Sequence, residues 1–171
     1  GSQLLEALAV QHPEWTLIAS DIRPLNPQAL RPNVEAALLD IGKREAVLAA
    51  VAQHQPDAIV HLASVVTPPP GMGEDVLHTI DVEGTRSILQ AAVEHGVRQL
   101  IVTSSGAAYG YYPENAEWID EHDPLRGHSK FAYAKHKREV EEMLAQARVK
   151  HPELRQLILR PGTILGRHVN N

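Results

Sequence analysis

The stretch FAYAKHKREV, residues 131–140, sets Tyr133 and Lys137 four positions apart. That is a little over one helical turn, so both side chains project from one face of any helix formed here. A phenol beside an ammonium is a potential acid–base unit. An unperturbed phenol titrates near 10, too high for proton transfer at neutral pH. A cation about 4 Å away contributes up to roughly 4 kcal/mol toward the phenolate at an effective dielectric near 20. Lys137 is therefore expected to lower the pKa of Tyr133. The competing reading is an incidental pair on a solvent-washed helix crowded with Lys and Glu. Lys135 falls on the other side of that helix and is expected in solvent.

Such a pair needs a scaffold. The chain has 171 residues, the size of one domain, and its 43% apolar content is enough for a sizeable core. Sixteen basic against 21 acidic residues leave a net charge of −5 with no basic block, which excludes nucleic acid as the expected partner. With no cysteine there are no disulfides and no thiolate metal sites, which fits a reducing cytoplasm. No apolar run approaches a membrane span, and no charged leader precedes an apolar core. None of the ten histidines pairs with another at metal-ligand spacing on one helix face, so no metal is expected.

Helix and strand patterns alternate along the chain. SQLLEALAVQ has helical spacing, and WTLIAS (15–20) is a short apolar run ending at Asp21. VEAALLD (34–40) is a weaker strand, KREAVLAAVAQH (43–54) a helix, and DAIVHLA (57–63) a strand before a loop with Pro68, Pro69 and Pro70. A helix is predicted from about His78 to His95, closed by Gly96. VRQLIVTSS (97–105) and LRQLILR (154–160) are the last strands, separated by a long loop (106–128) and the helix bearing Tyr133. Continuous apolar strand runs alternating with helices predict an α/β fold, a doubly wound parallel sheet covered on both faces.

Ligands of such folds sit outside the carboxyl ends of the strands. The residues there are Asp21, Asp40, HLAS at 61–64, SSGAAYG at 104–110 and RPGT at 160–163. A carboxylate ending the second strand of a dinucleotide fold accepts hydrogen bonds from ribose hydroxyls and repels a 2′-phosphate, about 20 residues beyond a glycine fingerprint. Counting back from Asp21 reaches Gly1. The plainer reading of Asp21 is a turn residue.

Gly1 to Asp21, LLDI at 38–41, VHLAS at 60–64, DVEGTRSILQAA at 81–92, VTSSGAAYG at 102–110, Tyr133 with Lys137, and LRPGTILG at 159–166 together resemble the extended short-chain dehydrogenase/reductase family, the NAD-dependent epimerase/dehydratase group. The resemblance covers nearly the whole chain and rests on the order of these features, each being weak alone. It implies one Rossmann-type NAD(P)-binding domain over 1–171, incomplete at both ends. In the family a strand and two glycines precede the position of Gly1, and a substrate region follows RPGT. A fragment of a longer protein is therefore expected, the alternative being that Gly1 and Ser2 are a cloning remnant.

The resemblance further implies catalysis by Ser105, Tyr133 and Lys137. Tyr133 is the general acid/base, Lys137 also contacts the nicotinamide ribose, and the Ser105 hydroxyl donates to the substrate oxygen. Gly1, Asp21, Asp40, Ile41, Leu62, Ala63, Ser64 and Pro161, with Tyr133 and Lys137, would hold the cofactor. Asp40 reads equally well as a helix cap. The cofactor implied is NAD rather than NADP, with Arg23 as the feature that argues for caution. The substrate is a small molecule, a nucleotide sugar being one candidate. Two positions depart from the family pattern: His136 where Ser or Thr is common, and Asp81 where Asn is usual. A homodimer is expected through the helices at 78–95 and 130–148, with Ile80, Ile88, Leu89, Val140 and Leu144 as surplus apolar positions. Two other functions stay open: a dinucleotide-binding redox sensor without turnover, and an NADP-dependent reductase of a non-sugar carbonyl.

Overall fold

The computed structural model describes residues 1–166. Helix α1 (Ser2–Gln11) leads into β1 (Leu17–Asp21), and β2 (Val34–Leu38) is followed by α2 (Arg44–His54). Strand β3 (Ala58–His61) precedes a continuous helical run of α3 (Glu74–His78), one wide π turn (Thr79–Glu83) and α4 (Gly84–Glu94). Then come β4 (Gln99–Thr103), α5 (Ala132–Lys150) and β5 (Arg155–Leu159). Every strand pairing is parallel, as the uninterrupted apolar runs and the helical crossovers require.

The sheet is not continuous. Strands β1 and β2 form one ladder, with Leu17 opposite Val34, and β3, β4 and β5 form another in that order, with no ladder between them among the described residues. Helices α2, α4 and α5 cover one face of the three-stranded sheet through Val47, Val51, Ile88, Leu89, Val140 and Leu144, around Leu100 and Val102 of β4. Leu100 and Leu144 are fully inaccessible, each burial stabilising by about 1.5–3 kcal/mol. The other face is open, with Val60 of β3 and Leu157 and Leu159 of β5 exposed. The parallel α/β arrangement expected from the sequence is present, with α2, α4 and α5 on one face of the three-stranded sheet. Helix α1 packs its buried Ala9 with Ala19 and Val34 of the two-stranded ladder.

The helix predicted from His78 begins four residues earlier, at Glu74. Its π turn breaks the 3.6-residue phase, which hides the first turns from a periodicity reading. Its end is as expected. Gly96 has φ +67°, its N–H reaches the Val93 carbonyl and that of Val97 reaches Ala92, the paired bonds of a glycine-terminated helix. Four of the five positions assigned to a dimer face need correcting. Ile88, Leu89, Val140 and Leu144 are at most 7% exposed within the single chain. They fill the chain's own core and are not surplus.

Candidate active site

Tyr133 lies in the first turn of α5 and Lys137 one turn further on. Ser105 follows β4, its Oγ accepting from the Ala107 N–H at 3.1 Å to cap the short 3₁₀ turn Gly106–Tyr109. The Ser105 side chain lies near enough to the Tyr133 hydroxyl to lower its pKa. Lys137 is buried, donates from Nζ to the Thr103 carbonyl at 3.0 Å, and lies 5.4 Å from the centre of the Tyr133 ring. The three residues implied as catalytic thus meet at the carboxyl end of β4. Ser104 takes no part, being buried with its hydroxyl donating to Glu141.

The electrostatics differ from the expectation. Burial raises the pKa of Tyr133, the nearby Ser105 side chain lowers it, and the charges of Asp81 and Tyr111 raise it, for a net rise. Burial also lowers the pKa of Lys137, against the pull of Asp81 and Glu141. The expected depression of the phenol is absent because the ammonium sits against the ring and Thr103, while loss of water and the Asp81 carboxylate oppose ionisation. Lys135 is partly exposed, as expected for the outer side of α5. Its Nζ donates to Glu74 on α3 at 3.0 Å.

The two positions that depart from the family pattern touch each other. Asp81, in the π turn, accepts at Oδ1 from Ser64 Oγ at 2.8 Å and from the Val65 N–H at 3.0 Å. Its Oδ2 lies 3.6 Å from Nδ1 of His136, and both side chains are almost wholly buried. Behind α5, the buried Glu141 carboxylate accepts both Nε and Nη2 of Arg160, whose Nη1 donates to Tyr109. Glu141 continues the four-residue spacing from Tyr133 through Lys137. That spacing was the one sequence signal for it, and reading only the first pair missed it. Gly110 has φ +78°, and a Cβ there would collide with the Gly127 carbonyl, so only glycine lets the 106–128 loop close over this network.

The residues implied for the cofactor collect at the same end of the strands. Asp21 ends β1 with its carboxylate partly exposed, accepting from the Arg23 N–H at 2.9 Å, with the Arg23 guanidinium 3.7 Å away. Gly1 heads α1 beside Leu62, where a Cβ would meet only the Leu62 side chain at 3.9 Å. Leu62 and Ala63 are exposed and Ser64 is tied to Asp81. The Pro161 carbonyl accepts from the Gly106 N–H. Asp40 serves its local turn, accepting from the Gly42 N–H at 3.0 Å beside Lys43. Ile41 points inward, so close to Gly84 that a Cβ at that glycine would clash with it. An exposed acceptor at a strand end, an open helix start and an apolar rim fit a ribose and an adenine chemically. Among the described residues no three His, Cys, Asp or Glu side chains are grouped to hold a metal ion.

The model of the NAD-dependent epimerase/dehydratase family matches residues 1–171. The chain belongs to that family. It is 38% identical over 90 residues to the N-acetyl-alpha-D-glucosaminyl-diphospho-ditrans,octacis-undecaprenol 4-epimerase of Escherichia coli O157:H7, covering 52% of this chain and 26% of the relative. It is 34% identical over 116 residues to a uronate dehydrogenase of Pseudomonas putida, covering 68% and 41%. In fold it superposes on the Bordetella bronchiseptica enzyme WbmH, solved in complex with NAD+, with a TM-score of 0.78 at 21% identity, covering 97% of this chain and 53% of that one. The chain spans about a quarter and two-fifths of the two curated relatives. No helix among the described residues is long and apolar enough to cross a membrane.

Proposed function

We propose that the protein is an NAD-dependent oxidoreductase or epimerase acting at a hydroxyl-bearing carbon of a sugar. The observation that carries this is the convergence of Tyr133, Ser105 and Lys137 at the carboxyl end of β4. Bound NAD would supply the hydride acceptor, next to Tyr133 and Lys137. Asp21 would accept from the adenosine ribose hydroxyls, and Leu62 and Ala63 would border the adenine. As the hydroxyl-bearing carbon gives up hydride, its O–H proton passes to the Tyr133 oxygen, and the reverse step returns it. The Ser105 hydroxyl donates to the same substrate oxygen while charge develops there. The buried Lys137 ammonium would contact the nicotinamide ribose. The sugar chemistry is supported by two relatives of different substrate, a lipid-diphosphate-linked amino sugar and a uronate, as their names state.

Arg23 beside Asp21 favours one second reading, use of NADP, since an exposed guanidinium at that place can pair with a 2′-phosphate. Mass spectrometry of ligand released from the full-length protein tests both readings. NAD in the released fraction supports the first, and NADP supports the second.

A further inference from the structure

Three aromatic rings stand in a line that ends at Tyr133. The centres of Tyr111 and Phe131 are 6.2 Å apart and those of Phe131 and Tyr133 5.9 Å apart, each ring tilted 35° or 40° from the next. Tyr111 is 66% exposed and Phe131 42%. The line takes up the chain's one phenylalanine and two of its four tyrosines. A single exposed ring is ordinary, whereas contiguous exposed rings beside a reacting group mark a surface that a ligand covers.

Neither outer ring is placed by the needs of the fold. Phe131 is the N-cap of α5, and its side chain makes no capping bond. A Ser, Thr, Asp or Asn there would stabilise the helix by accepting from its free N–H groups. Phe131 is not a hydrophobic staple either, because that motif uses the position one earlier, which here is Lys130. Tyr111 lies between two anchored neighbours. The Gly110 carbonyl accepts from Asn115 Nδ2 at 2.8 Å, and Tyr112 stacks on His128 with centres 5.2 Å apart. The Tyr111 ring is left outside them, against Phe131. A local rule broken next to a reacting group points to function.

The shape of the line selects what it can bind. The faces of aromatic rings are electron-rich and attract the weakly positive hydrogens of C–H bonds. A flat base could lie parallel to one of these rings only, since each is turned from the next. A saturated sugar ring is puckered, and the C–H bonds of one face can meet more than one tilted ring. We propose that Tyr111 and Phe131 are specificity-determining residues that bind the C–H face of the sugar whose oxygen reacts at Tyr133. The outer rings themselves carry no charge, so they recognise the sugar ring itself, whatever acidic group is joined to it. This rests on the sugar chemistry at Tyr133 given under Proposed function.

The test uses the full-length protein with NAD bound, deuterated except at phenylalanine and tyrosine. Their ring protons are saturated by NMR, and transfer is read on methyl β-D-galactopyranoside and methyl β-D-glucopyranoside. Protons on one face of the sugar should receive far more saturation than those on the other. Phe131→Leu keeps an apolar side chain but loses the ring face, and should raise the Kd from the concentration dependence by roughly 2- to 10-fold, the value of one aromatic contact. Tyr111→Ser should do the same, and Phe131→Trp should restore both affinity and face selectivity. Calorimetric NAD binding checks that each variant is folded. Transfer spread evenly over both faces, no transfer to either glycoside, or an unchanged Kd in Phe131→Leu overturns the proposal. Tyr133→Phe keeps its ring and should keep the transfer pattern. Undiminished turnover in that variant would instead overturn the Proposed function.

Discussion

Glu141 on α5 and Arg160 after β5 form a two-pronged ion pair, with Nε 2.9 Å from both carboxylate oxygens and Nη2 2.6 Å from one. The carboxylate is 2% exposed and the guanidinium 19%. The pair bolts the helix that carries Tyr133 and Lys137 to the last strand, and Ser104 and Tyr109 tie in the turn that carries Ser105. Its hydrogen bonds to Glu141 hold the Arg160 guanidinium protonated well beyond its ordinary range. Removing one member leaves the other without its counter-charge, at a cost of roughly 3–5 kcal/mol. Glu141→Ala is therefore expected to lower full-length stability by that order in urea unfolding. Replacing both by Glu141→Leu and Arg160→Met should cost clearly less than the two single losses added.

Tyr133→Phe removes one hydroxyl and keeps the ring packing against Phe131, 5.9 Å away between centres. Turnover is expected to fall by roughly 10²–10⁴-fold, the usual loss of general acid–base catalysis, with NAD affinity within a few-fold of wild type. Ser105→Ala should lower turnover and leave NAD binding unchanged. Lys137→Met should reduce both, because the Asp81 charge then faces Tyr133 without its cation. Steady-state kinetics with calorimetric NAD titration distinguishes the three patterns. A near-silent Tyr133→Phe would make Tyr133 a plain surface residue of α5.

How far these sites could be read without coordinates follows from their range in the chain. Tyr133 and Lys137 were legible because one helix turn fixes their relation, and Gly96 because a helix end needs a left-handed residue. The parallel α/β class followed from continuous apolar runs such as LIVT before Ser104. Asp81 and His136 stood out only as departures from a pattern. Their contact joins positions 55 residues apart through a π turn that no periodicity reveals. The sign of the Tyr133 shift was misread for the same reason. It depends on burial and on Asp81, both set by tertiary packing, whereas the four-residue spacing speaks only of Lys137.

In the proposed site, Asp21 and Arg23 would discriminate between the two nucleotides. Asp21 presents a partly exposed carboxylate, where a 2′-phosphate would meet like charge, and Arg23 is 86% exposed and free to swing away from it. NAD is expected to bind the full-length protein more tightly than NADP. Asp21→Asn should narrow that preference by about tenfold or more, the order of one charge interaction. Isothermal titration with both nucleotides measures it, and a wild-type preference for NADP would reverse the assignment.

His61 gives the fold an acid limit. It is 6% exposed, with Nε2 2.9 Å from the Thr85 hydroxyl. That hydroxyl already donates its proton to the Asp81 carbonyl at 2.6 Å, so Nε2 must carry the hydrogen and donate. Burial, then the charge of Lys137, push the pKa down to about 4 against the opposing pull of Asp81. The unfolded chain binds this proton near 6.5. Between about 4 and 6.5 the unfolded state therefore holds more protons, and stability falls as pH falls through that window. The total is on the order of 3 kcal/mol, fully lost below the folded-state value. His61→Gln keeps a donor for Thr85 and does not titrate. Its stability in urea should fall less steeply with acid than that of wild type, by up to one proton's worth of slope in this window. Equal slopes in the two proteins would mean that His61 is not held neutral by the fold.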